Sequence, residues 1–138
     1  MATALPGDDP ELQRRVRLHR QRRPAAWGTV DAGDLEELPD VAGRWDAVLL
    51  DSLTLWVSAQ LGAAGEEATL ALFGGFLEQI SPHTTPFVIV SDEVGLGVVP
   101  ESPEGRTFRD VLGTANQDAA AAAEEVHLCV AGIGVRIK

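Results

Sequence analysis

A chain of 138 residues is long enough for one domain with a real core and leaves little room for a second. Its content of 45% hydrophobic and 23% charged residues is that of an ordinary globular protein, and no run approaches the roughly 18–20 apolar residues that span a bilayer. A net charge of −10 argues against general binding to nucleic acid or to an anionic membrane.

Charge distribution says more than the sum. Six of the eleven basic residues (Arg14, Arg15, Arg17, Arg20, Arg22 and Arg23) fall between Leu12 and Pro24 with no acid among them, so that segment carries +6 and the remainder −16. A short cationic island on an acidic chain suits one compact polyanion, such as a nucleoside triphosphate, or else is a solvated arginine-rich helix face. Met1–Asp9 lacks the basic start and apolar run of a signal peptide, so a cytoplasmic protein is expected. Cys129 is the single cysteine and lies in the apolar run Val126–Val130, which marks it as a small core residue.

In chain order, Asp8-Asp9-Pro10-Glu11 opens a helix with a capping acid, a first-turn proline and acids at the positive end of the dipole. That helix ends before Pro24, because the residue preceding a proline is pushed out of helical geometry. A short helix is expected around Gly33–Leu38, between turn signals at Gly28 and Pro39. Ala47–Asp51 reads as a buried parallel strand ending in an acid. Leu53–Leu61 and Thr69–Ile80 read as helices separated by a Gly62–Gly65 break, and Pro86–Ser91, dense in β-branched residues, as a strand. After a glycine-rich loop, Thr107–Ala123 has the alanine content of a long helix, and Val126–Val130 and Gly134–Ile137 close the chain as strands. Strands alternating with helices predict a single α/β domain over 1–138 with a mostly parallel sheet and flanking helices.

Ligands of open parallel sheets gather beyond the carboxyl ends of the strands. Two acidic positions stand there: Asp51, and the pair Asp92-Glu93. An acid in the first place either holds magnesium near phosphates or, with Ser52, caps the following helix. His19 sits on the arginine-rich helix, where nearby cations favour the neutral imidazole and can bind phosphates. A neutral imidazole can attack an α-phosphorus and release pyrophosphate, although a plain helix-surface histidine fits the same spacing. His83, in a Pro-His-Thr-Thr-Pro turn, and His127, in an apolar strand, read as structural, and no spacing joins the three histidines as metal ligands.

The segment Arg15-Val-Arg-Leu-His19-Arg-Gln-Arg-Arg-Pro24-Ala-Ala-Trp27 resembles the signature of bacterial bifunctional adenosylcobinamide kinase/adenosylcobinamide-phosphate guanylyltransferases. Further blocks resemble that family in the same order: Leu49–Trp56, Val90–Glu101 and Phe108–Gln117, running on through Ala119–Val126 to Gly132-Ile133. Together they cover essentially the whole chain. The resemblance implies a RecA-like P-loop fold with a mostly parallel sheet. It implies phosphorylation of adenosylcobinamide and transfer of GMP from GTP, through a histidine–GMP intermediate, to adenosylcobinamide phosphate in cobalamin assembly. It also implies ATP and GTP as substrates, Mg2+, and a homo-oligomer.

By the same resemblance, His19 is the residue that accepts GMP. Arg23, Pro24, Ala25 and Ala26 match a stretch that contacts the nucleotide, as do Thr3, Ala4 and Leu5, which follow the family's second strand. Asp31 and Asp51 match acidic positions near the guanine nucleotide or its metal. Relatives usually carry Asn where Asp92 stands and often His at the place of Ala26. Family members begin with an apolar strand and a Gly-rich loop ending in Gly-Lys-Ser, a motif not found between Met1 and Lys138. The chain is therefore expected to be N-terminally truncated relative to that pattern. The alternative reading is a non-catalytic remnant or regulatory subunit of the same fold.

Overall fold

The computed structural model describes residues 10–29, 35 and 38–138, with their side chains except those of Leu12, Arg15, His19, Arg20, Asp40 and Val41. The elements are α1 (Pro10–Arg22), α2 (Leu38–Ala42), β1 (Val48–Asp51), α3 (Leu53–Ala64), α4 (Glu66–Ile80), β2 (Phe87–Val90), α5 (Pro103–Ala122), β3 (His127–Val130) and β4 (Ile133–Arg136). This is a mixed α/β architecture with a parallel strand pair and flanking helices.

Strands β1 and β2 pair in parallel, with Val48 opposite Phe87 and Asp51 opposite Val90. The Val48 amide donates to the Pro86 carbonyl at 2.9 Å and extends the ladder by one bond. Alternation along the strands sets the layers. Val48 and Leu50 are buried, and Phe87 and Ile89 pack against the core, whereas Val88 and Val90 are exposed. The expected burial of a parallel sheet on both faces is therefore not met among the described residues. Helices α3, α4 and α5 pack on one another and against a single face of the pair.

That covered face carries the core. Leu50, Leu53, Trp56, Val57, Phe73, Phe76, Val111, Leu112 and Ala115 form one buried cluster with Leu35 and Leu38. Trp56 and Phe73 meet at 5.9 Å between ring centroids, Phe73 and Phe76 at 6.1 Å, and the edge of Phe87 meets Phe76 at 6.1 Å. Each such aromatic contact contributes about 0.5–1.5 kcal/mol beyond area burial. His83, read as structural, lies edge-on to Phe87 at 6.0 Å.

Three helix boundaries differ from expectation, each for a local reason. Pro39 does not end a helix but sits in the first turn of α2, where its missing N–H leaves no bond unmade. The helix expected over Gly33–Leu38 lies mostly outside the described residues, and the observed one begins at its last position. Gly62 is carried inside α3, and the break falls at Gly65 alone, whose φ of 84° is a conformation that glycine adopts without a Cβ penalty. Helix α5 starts at Pro103 rather than Thr107, because Ser102 caps it, accepting from the Gly105 amide at 3.0 Å.

The closing strands are not part of the parallel sheet. β3 and β4 form a separate antiparallel hairpin, turned by Ala131 (φ 51°) and Gly132 (φ 79°), the two positive φ values that a two-residue hairpin loop demands. All eight strand residues are exposed, Cys129 included, so the apolar run around Cys129 is not core as its composition suggested. His127 lies 3.2 Å from the Glu125 carboxylate on this exposed surface.

Candidate functional site

Asp51 ends β1, and the loop opened by Ser91 follows β2, so both acidic positions stand at the carboxyl end of the parallel pair. The residue capping α3 is Ser52, whose hydroxyl accepts from the Leu55 amide at 3.4 Å. The Asp51 carboxylate lies 4.0 Å from the Arg23 guanidinium, with both side chains largely shielded from solvent (12% exposed for Arg23, 24% for Asp51). The Asp51–Ser52 peptide is cis.

The segment after α1 is shaped to bring Arg23 there. Pro24 stops the helix, and the Trp27 amide donates to the Pro24 carbonyl at 3.0 Å, closing a turn over Pro24–Trp27. Arg23 also donates to the Thr29 hydroxyl at 3.0 Å, so its guanidinium is held from two sides. Gly28 lies directly beneath the Trp45 indole, in space that a Cβ would occupy. Pro24, Ala25 and Ala26 are exposed on this turn. The cationic helix thus ends at the acidic strand terminus.

Behind β2 a second set of contacts fixes the acidic loop. The Asp92 amide donates to the Thr54 hydroxyl at 2.9 Å, and Asn116 donates through Nδ2 to the Asp92 carbonyl at 3.1 Å. Ser91 Oγ donates to Asn116 Oδ1 at 2.6 Å. Glu93 folds back to accept from the Gly95 amide at 2.7 Å. Thr54 and Asn116 had no role in the sequence reading, although both lie in blocks that carry the family resemblance. Thr54 stands in the first turn of α3 and Asn116 well inside α5, and each side chain reaches the loop after β2.

His19 lies in α1, four residues before Arg23 and about one turn from it, while its side chain is outside the described ones. Thr3, Ala4, Leu5 and Asp31 also lie outside the described residues. Among the described residues no group of three His, Cys, Asp or Glu side chains could cage a metal. A single carboxylate at Asp51 nevertheless fits magnesium, which binds through one or two carboxylates and takes its other ligands from phosphate and water. A shallow depression along α4, lined by Ala68, Ala71, Leu72, Gly75 and Gln79, offers no charged group and lies on a different element. Among the described residues no helix is long and apolar enough to cross a membrane.

Comparison with known proteins shows the family. The family model for cobinamide kinase / cobinamide phosphate guanyltransferase matches residues 1–137. The chain is 38% identical to the bifunctional adenosylcobalamin biosynthesis protein CobU of Escherichia coli K12, over 94% of this chain and 80% of that protein. It is 37% identical to the CobU of Salmonella typhimurium over the same shares. It is 35% identical to the bifunctional adenosylcobalamin biosynthesis protein CobP of Pseudomonas aeruginosa, over 100% of this chain and 80% of that relative. The chain therefore belongs to the cobinamide kinase / cobinamide phosphate guanyltransferase family.

Proposed function

We propose that this protein phosphorylates the side-chain hydroxyl of adenosylcobinamide and then transfers GMP from GTP to adenosylcobinamide phosphate, giving adenosylcobinamide-GDP. The observation that carries the reading is the meeting of Arg23, at the end of the arginine-rich helix, with Asp51, at the carboxyl end of β1. It supports the reading because a guanidinium suited to phosphate and a carboxylate suited to magnesium stand together at the strand end from which the loop of Asp92 and Glu93 departs.

In the guanylyl transfer, an imidazole nitrogen of His19 attacks the α-phosphorus of GTP. The bond to the bridging oxygen breaks, pyrophosphate leaves with that oxygen's electron pair, and a phosphoramidate forms. A phosphate oxygen of adenosylcobinamide phosphate then attacks the same phosphorus and releases His19. Arg23 and its neighbours hold the phosphates and offset the charge that builds on them. Asp51 is the residue that would hold magnesium, and the ion would supply further charge neutralisation. Thr3, Ala4, Leu5, Pro24, Ala25, Ala26 and Asp31 complete the nucleotide contacts in this reading, with ATP or GTP as phosphoryl donor. The RecA-like P-loop fold and a homo-oligomer belong to the same proposal.

The test is product analysis. The full-length protein, adenosylcobinamide, ATP, GTP and magnesium are incubated together, and the corrinoids are separated and weighed by mass spectrometry. Adenosylcobinamide phosphate and adenosylcobinamide-GDP are the expected products. Recovery of unmodified adenosylcobinamide from every incubation contradicts the proposal.

A further inference from the structure

The two most exposed large apolar side chains among the described residues lie in one loop, Leu96 at 83% and Val98 at 93%, with Val99 at 61% beside them. The loop is held firmly at both ends. Val94 packs on the core, and the Gly95 amide is bound by Glu93 at 2.7 Å. On the far side Arg106 donates to the carbonyls of Pro100 at 3.1 Å and Glu101 at 2.7 Å, and Pro100 sits where a Cβ on Gly105 would be. Between these anchors, Gly95–Val99 carries three aliphatic side chains into solvent with no charge among them.

Its root is the site itself. Asp92, pinned to Thr54 and Asn116, lies two residues after Val90, the partner of Asp51 in the strand register. The apolar segment starts four residues beyond Asp92, with Val94 packed on the core and the Gly95 amide held by Glu93, so it leaves directly from that strand end. The phosphates have no complement in an uncharged aliphatic loop. A cobalt corrin fits both parts: its rim is crowded with methyl groups that aliphatic side chains can cover, and its amide N–H groups and cationic centre suit the exposed acid Asp92 at the loop's root.

We propose that the Gly95–Val99 loop is the corrinoid contact of this site, with Leu96, Val98 and Val99 covering the ring's methyl-bearing rim. The proposal rests on the functional reading above and adds the place where the acceptor substrate lands. Equilibrium dialysis of adenosylcobinamide in the dark, read by absorbance, tests it on the full chain. Compared would be wild type, a Leu96→Ser/Val98→Ser double variant, single Val98→Ser, and Val98→Ile as an apolar control. The double variant should bind about tenfold or more weakly, since each side chain loses apolar contact, while Val98→Ile binds like wild type. Thermal melts should coincide, because these side chains touch solvent rather than core; if the double variant melts early, single Val98→Ser supplies the comparison. Equal affinity in wild type and serine variants overturns the loop assignment and leaves the functional reading standing. So does a wild-type oligomer that the double variant dissociates at unchanged corrinoid affinity. Failure of wild type to take up adenosylcobinamide overturns both, and product analysis shows that failure separately.

Discussion

The guanidinium of Arg23 stands 4.0 Å from the carboxylate of Asp51, although 28 residues and two helix boundaries separate them in the chain. Neither residue is fully exposed, and Arg23 is further steadied by Thr29. A pair of this length and exposure adds only about 0–1 kcal/mol to stability. Its value lies in where it holds the cation.

Arg23→Ala is therefore expected to lower GTP affinity by about tenfold or more while shifting unfolding free energy by no more than about 1 kcal/mol. Arg23→Lys should recover only part of the affinity, because an ammonium lacks the planar fork that grips two phosphate oxygens. Isothermal titration with GTP, beside denaturant melts, measures both. Wild-type affinity in Arg23→Ala would remove this arginine from the nucleotide site.

Asp51 and Ser52 are adjacent but should behave oppositely. Ser52→Ala removes the cap of α3 and is expected to cost about 1 kcal/mol of stability. Asp51→Asn leaves that cap in place, so folding should change little while magnesium-dependent nucleotide turnover falls by about a hundredfold. Turnover within a few-fold of wild type at saturating magnesium would show that the carboxylate serves structure only.

Asn116 ties the acidic loop to α5 by accepting from Ser91 and donating to the Asp92 carbonyl. Asn116→Ala should cost about 1 kcal/mol of stability for the lost bonds. Nucleotide turnover should drop by about tenfold, since the loop is no longer held in place. Asn116→Asp keeps the acceptor but loses the donor and sets a negative charge against a carbonyl, so it should be no milder. Steady-state kinetics of both variants is the measurement, and wild-type turnover in Asn116→Asp would count against the tie.

Gly28→Ala puts a methyl group where the Trp45 indole lies. The ring must move, which should alter intrinsic tryptophan fluorescence and cost about 1–3 kcal/mol, as overpacking does. GTP affinity should weaken with it, because the Pro24–Trp27 turn that follows Arg23 ends beside this contact. An unchanged emission spectrum would show that the loop yields without disturbing Trp45.

Much of this was legible in the residues. Pro24 as a helix stop, Asp51 as a strand-end acid and the β-branched run of β2 all follow from local rules and are present in the structure. Cap chemistry was under-read: Ser102-Pro103 started α5 four residues before its alanine content did. The hairpin was missed because apolar strands look alike whether they join a parallel sheet or stand apart, and burial decides that only after tertiary packing. For the same reason the composition around Cys129 suggested core where the structure has surface. The Arg23–Asp51 and Asn116–Asp92 contacts are products of tertiary structure, and no spacing announces them. The apolar loop Leu96–Val99 was visible as letters, but its exposure was not.

The central claim is that His19 carries GMP. The most direct measurement incubates the full-length protein with α-labelled GTP and magnesium, traps it, and maps the labelled peptide. The account predicts an acid-labile adduct on the peptide containing His19 that disappears in His19→Ala. Label retained undiminished in His19→Ala, or mapped to another residue, would contradict it.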